Sequence, residues 1–175
     1  MLNNFKLLLI LSTALIYNCS GNKSETRLPL STNSMEASNL YHEAMYLNNI
    51  YMGDKAKVKL EEAVKIDPDF GAAFIMLSTF GSNSVSETDA YYEKALSLKS
   101  KMNDVEKCFL EIRSSYRNDD IKTRMQASER LIDLLPENAI AYERMAYTQY
   151  EMANIKDSRN SALKAIELDR YYSPA

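Results

Sequence analysis

Asn138-Ala139-Ile140-Ala141-Tyr142-Glu143-Arg144-Met145-Ala146-Tyr147-Thr148-Gln149-Tyr150-Glu151-Met152-Ala153-Asn154 is the stretch on which the fold turns. Asn138 is a helix-starting residue, Tyr142, Met145, Ala146 and Gln149 recur at helical spacing, and Ala153-Asn154 breaks the pattern before a second helix with Ala162, Ala165, Ile166 and Leu168. Counting back from Tyr142 in steps of 34 residues meets Cys108, Phe74 and Leu40, and from Ala146 the same steps meet Ile112, Ser78 and Ala44. Ala63, Leu131 and Ala165, and separately Pro68 and Pro136, differ by multiples of the same interval. A fixed period of this length marks a stacked helix-turn-helix repeat, whose product is an extended binding surface.

The remaining segments obey the same grammar. Asn33 with Glu36 predicts a cap for a first helix bearing Leu40, Ala44, Leu47 and Tyr51. Gly53-Asp54 breaks it, and Ala56, Leu60, Ala63 and Val64 form a second stripe ended by Asp67-Pro68. A third helix carries Ala73, Phe74 and Leu77 and is expected to end at Gly81; Ser86 with Asp89 is expected to cap a fourth bearing Tyr91, Tyr92, Ala95 and Leu98. Asp104 opens a fifth with Cys108, Phe109 and Ile112, and Asn118-Asp119-Asp120 turns the chain into a sixth with Ala127, Leu131, Leu134 and Leu135.

These residues resemble the tetratricopeptide-repeat pattern from about Met35 to Tyr172, best in the last repeat through Tyr142, Met145, Ala146, Ala153-Asn154, Ala162, Ala165 and Leu168. No repeat contains tryptophan, and Glu43 and Glu111 occupy normally apolar positions. The resemblance implies an all-α fold, a right-handed superhelical array of about four antiparallel helix pairs in which the first helix of each pair lines a concave groove. Carried onto this chain, the groove positions are Tyr41, Met45, Asn48, Asn49, Ile75, Thr79, Ser82, Phe109, Arg113, Tyr116, Arg117, Glu143, Tyr147, Tyr150 and Glu151. The Lys and Asn clamp by which some members hold a terminal carboxylate is not reproduced, since Tyr41-Met45 and Ile75-Thr79 stand in its place.

Whole-chain properties agree with a helical binding module. The 175 residues contain only four glycines and four prolines, too few for a turn-rich sheet protein or a Gly-rich phosphate loop. With 21 basic and 24 acidic residues the net charge is -3, which gives no field to gather nucleic acid, so no nucleic-acid partner is expected.

The amino terminus is of another kind. Lys6 precedes the apolar run Leu7 to Tyr17, long enough for an export-signal core and shorter than the roughly 20 residues of a stable bilayer span. Cys19 follows directly, before the polar Ser20-Gly21-Asn22-Lys23. This resembles a bacterial lipoprotein signal, which implies that Cys19 becomes an acylated, palmitate-bearing first residue and that the chain is lipid-anchored to a bacterial membrane, facing the periplasm or on the outer membrane. An ordinary cleaved signal, or an uncleaved anchor with Cys19 incidental, are the alternatives. The expected organisation is an export signal over 1–18, a flexible tether over 19–34 read from its Ser, Thr and Asn content, a repeat domain over 35–172 and a tail over 173–175.

An enzyme needs a constellation of reactive groups, and none assembles. His42 is the single histidine and lacks a second ligand at metal-binding spacing, and Cys108 falls on a core seam. The expectation is a non-catalytic module without metal or cofactor that binds a protein, peptide or partner helix through its tyrosines and Arg113 and Arg117. The alternative is self-association through the C-terminal repeat, where Leu163, Ile166 and Tyr171 lie near the end of the last helix and no polar capping segment follows.

Overall fold

A computed structural model describes residues 27–169. Cys19, the export signal, the first part of the tether, the end of the expected repeat domain with Tyr171, and the tail lie outside the described residues. Among those described, the secondary structure is helical throughout: α1 (Met35–Asn49), α2 (Gly53–Ile66), α3 (Gly71–Leu77), α4 (Val85–Ser97), a 3-10 turn (Lys99–Lys101), α5 (Asp104–Asn118), α6 (Ile121–Leu134), α7 (Ala139–Glu151) and α8 (Ile155–Leu168). The fold is all-α.

Local chemistry sets each start. Ser34, not Asn33, caps α1 by accepting the Ala37 N–H at 3.1 Å. The cap of α4 is Ser84, two residues before the expected Ser86, and it forms a reciprocal box with Glu87. Asn103 and Glu106 build the same box on α5, while Asp120, Asn138 and Asn154 cap α6, α7 and α8. Each such cap satisfies N–H groups that have no partner within the first turn.

The 34-residue interval reappears in the backbone. Tyr51, Asp119 and Ala153 are the three non-glycine residues with positive φ among those described, at 59°, 53° and 57°. They stand at steps of 68 and 34. The following amides close equivalent turns: Met52 donates to the Leu47 carbonyl, Asp120 to Ser115 and Asn154 to Gln149, each at 2.9 Å. This six-to-one bond with a left-handed residue inside it is a common way to end a helix tightly.

The second repeat departs from that geometry. Position 85, which the interval makes equivalent, is the first residue of α4, and α3 stops at Leu77, four residues short of Gly81. Side chains take the carbonyls that further helical turns would need: Ser78 Oγ donates to Ile75 at 2.7 Å, Thr79 Oγ1 to Met76 at 2.7 Å and Asn83 Nδ2 to Leu77 at 2.7 Å. Such bonds compete with the helix ladder and end it early.

α1 packs on α2, α2 on α3, α3 on α4, α5 on α6, α6 on α7 and α7 on α8, whereas α5 meets the earlier helices chiefly through α3 and less through α4. The seams are narrow because their residues are small. Ala37, Ala44, Ala56, Ala63, Ala73, Ala95, Ala127 and Ala141 are fully buried, with Phe70, Leu60, Leu77, Leu110 and Leu131 filling the wider gaps. The row Ala44, Ser78, Ile112 and Ala146 is buried at all four positions. Gly71 lies so close to Met102 that a Cβ would sit 2.4 Å from the methionine Cε.

The segment before α1, residues 27–34, lies against the folded body although its composition reads as tether. Leu28 is buried and Leu30 packs against the core, while Pro29 between them is exposed. Asn103 Nδ2 donates to the Pro29 carbonyl at 3.0 Å, the Ser31 N–H donates to Glu106 Oε1 at 2.9 Å, and Thr32 Oγ1 donates to Asp67 Oδ2 at 2.6 Å.

Candidate functional site

The groove positions inferred from the sequence fall into rows spaced by the repeat interval, and burial falls from row to row. Tyr41, Ile75 and Glu143 are buried and Phe109 is half-buried, so this row forms a floor. Met45 and Arg113 are half-buried and Thr79 and Tyr147 exposed in the next row. Asn48, Ser82, Tyr116 and Tyr150 are exposed, as are Arg117 and Glu151, while Asn49 is half-buried.

The floor residues are engaged inside the molecule. Tyr41 packs its ring 5.4 Å from Phe70 and edge-on to His42 at 5.8 Å. Burial, and after it the Glu106 carboxylate, hold the Tyr41 phenol well above its ordinary ionisation range, with Arg144 acting in the opposite sense. Tyr41 is therefore a neutral core residue. Glu143 is buried beside Arg144, whose guanidinium lies 3.5 Å away.

Both arginines expected to hold a partner's carboxylate are already used. Arg113 donates from Nε to Ser78 Oγ at 3.0 Å and from its terminal nitrogen to the Ser78 carbonyl at 2.6 Å, bonding to the first residue past the foreshortened α3. Burial, then the neighbouring Arg117, weaken its hold on the proton. Arg117 pairs with Asp89 at 2.6 Å and lies over the Tyr92 ring at 4.5 Å. Tyr92 in turn donates to Ser114 Oγ at 2.9 Å.

Three aromatic side chains stand open, as do Asn48, Thr79 and Ser82. Tyr116 is 42% exposed, Tyr147 44% and Tyr150 65%. Beneath Tyr116 lies Arg124, 4% exposed, stacked on the ring at 3.5 Å, donating to Ser115 Oγ at 3.1 Å and paired with Glu151 at the end of α7. One buried guanidinium thus joins the ends of α5, α6 and α7 and fixes the plane of an exposed phenol. Burial, then Glu151, push the Tyr116 phenol upward. The arrangement offers flat amphipathic rings on a stiffened base, suited to a peptide or helix surface.

Cys108 is buried, with burial raising its thiol and Arg130 3.5 Å from the sulfur. Among the described residues no group of three His, Cys, Asp or Glu side chains is placed to hold a metal ion. No helix among them is long and apolar enough to cross a membrane.

Arg124 and Glu106 were missed by sequence reasoning, yet the interval flags both. Arg124 stands in the row of Ala56, Ala90 and Ser158, and Glu106 in the row of Ser38, Ala72 and Ile140. A charge in a row of small or apolar residues is the signal. In comparison with known proteins, no family model matches the chain and no curated protein matches it.

Proposed function

We propose that the chain is a tetratricopeptide-like α-solenoid of about four antiparallel helix pairs, a non-catalytic module that binds a protein or peptide partner, anchored in a bacterial envelope membrane through acylated Cys19. The observation that carries the repeat reading is the agreement between the sequence interval and the left-handed turns at Tyr51, Asp119 and Ala153. Helix contacts that fall mostly between successive helices, together with the packing of α5 on α3, support the same stacking.

The partner surface is centred on Tyr116, Tyr147 and Tyr150. Rings of this kind give contact area at small rotamer cost, and the partner's extended segment or helix would lie across them. Photocrosslinkers placed at 147 and 150 in intact envelopes test this: a single crosslinked species lost on Tyr147→Ala supports the surface, and crosslinks indifferent to that change refute it. For the anchor, Cys19→Ser moves the protein from the detergent phase to the aqueous phase and abolishes incorporation of a palmitate analogue.

A second reading is self-association through the last helix pair. Ile155, Leu163 and Ile166 of α8 are each about half or more exposed. A concentration-dependent dimer in sedimentation, abolished by Ile166→Glu, favours this reading over the tyrosine surface.

A further inference from the structure

Residues 28–32 are seated as a bound peptide would be. Leu28 and Leu30 turn inward and Pro29 outward, the alternation of an extended chain. Two of the three hydrogen bonds that hold them go to backbone atoms, the Pro29 carbonyl and the Ser31 N–H, and therefore read chain direction and spacing and not side-chain identity. The third goes to a hydroxyl, Thr32 Oγ1.

The receiving groups are pre-arranged by the fold. Asn103 uses Oδ1 to cap Glu106 N–H at 3.0 Å, which leaves Nδ2 for Pro29. Glu106 uses Oε2 for the Asn103 N–H at 3.1 Å, which leaves Oε1 for Ser31. With the segment in place Glu106 is 1% exposed, so residues 28–32 both cover the carboxylate and supply a donor to its second oxygen. Departure without replacement would bare Leu28 and leave that oxygen to water, whereas exchange of one occupant for another keeps both covered.

We propose that the shelf made by the end of α2 and the start of α5 is a recognition site for an extended aliphatic–Pro–aliphatic–x–Ser/Thr segment, that Leu28–Thr32 is its resident occupant, and that a partner segment of the same chemistry enters by displacing it. This deepens the partner-binding reading and rests on it for the existence of an outside segment. The resident strap then sets the threshold for entry. Its hold consists of two aliphatic side chains and three hydrogen bonds, set against the entropy of ordering the same residues.

A fluorescein-labelled peptide with the sequence of residues 27–34 is titrated into the full chain and into a full-chain Leu28→Asp/Leu30→Asp variant, with anisotropy as the readout and far-UV circular dichroism confirming the fold. The variant, whose strap no longer fits, binds the peptide at least 10-fold more tightly than the unaltered chain, and methylating the peptide nitrogen that corresponds to Ser31 removes at least 10-fold of that affinity. Equal binding by the two chains, or no saturable binding by the folded variant, overturns the proposal. Should the variant fail to fold, hydrogen exchange on the unaltered chain decides: millimolar unlabelled peptide speeds exchange at the amides of Leu30 to Thr32 if the strap is replaceable, and unchanged protection there overturns it. Failure here with the Tyr147-dependent crosslink intact removes the strap and leaves the partner surface; the reverse result removes the surface and leaves the shelf.

Discussion

Replacing Ala153 by glycine should stabilise the protein. Ala153 holds φ at 57°, a left-handed conformation that costs an L-residue about 1–2 kcal/mol. Glycine adopts it without that cost but gives back about 0.5–1 kcal/mol through the greater freedom of its unfolded chain. The net gain is about 0.5–1 kcal/mol, or a rise of roughly 1–4 °C in Tm for a domain of this size. Asp119→Gly should gain similarly, because it also removes a negative charge from the carboxyl end of α5. The two sites lie in separate turns, so their effects should add. Val85 supplies the control: the 34-residue count makes it equivalent, but it is the first residue of α4, where glycine costs about 0.5–1 kcal/mol. Urea denaturation followed at 222 nm measures all three. A destabilised Ala153→Gly, or a Val85→Gly as stabilised as Ala153→Gly, would refute the assignment of strain to these turns.

Other expectations follow from single contacts. Arg124→Met removes the donor to the buried Ser115 hydroxyl and the stacked support of Tyr116 and leaves Glu151 without its guanidinium partner, while the Ser115 carbonyl keeps its backbone donors, at a cost of about 1–3 kcal/mol in unfolding free energy; a loss below the error of the melt would show that the guanidinium is dispensable. Cys108, buried and raised in pKa by burial, should react with a thiol reagent only at the rate of unfolding, so that urea accelerates its modification in a Cys19→Ser background. Glu87 is held below its ordinary value first by the Ser84 N–H, then by the Ser84 hydroxyl, and next by Lys57. Its contribution is therefore present above the ordinary value of 4.5 and lost as pH falls through the lower folded value, so a Glu87→Gln variant should differ from the parent at pH 7 and converge with it in acid; a gap that persists at low pH would contradict this.

The helices themselves were legible because their signals are local. Asn138 and Asn154 cap helices as their identity implies, and Asp119 turns the chain where Asn118-Asp119-Asp120 announces a break. The caps at Ser34 and Ser84 were misplaced by one and two residues because Asn33 and Ser86 are equally good cap residues, and only packing of the helix chooses among neighbours. The early end of α3 was hidden for a different reason: Ser78, Thr79 and Asn83 stop it by acting together on consecutive carbonyls, an effect that propensity at single positions does not contain. At the candidate surface, Tyr116, Tyr147 and Tyr150 stand among the groove positions that the resemblance implies and are exposed, whereas the engagement of Arg113 with Ser78 and of Arg117 with Asp89 spans 35 and 28 residues and depends on which helices meet.

The bond from Arg113 to Ser78 bears on how the chain is made. Synthesis from the amino end delivers Ser78 well before Arg113, so a nascent chain that has emerged as far as α4 carries a buried-to-be carbonyl that only water can satisfy. Ser31 waits longer still, for Glu106, 75 residues downstream. Both are answered by α5, so in a chain delivered amino end first to the place where it folds, the earlier half of the molecule gains these partners only when α5 arrives.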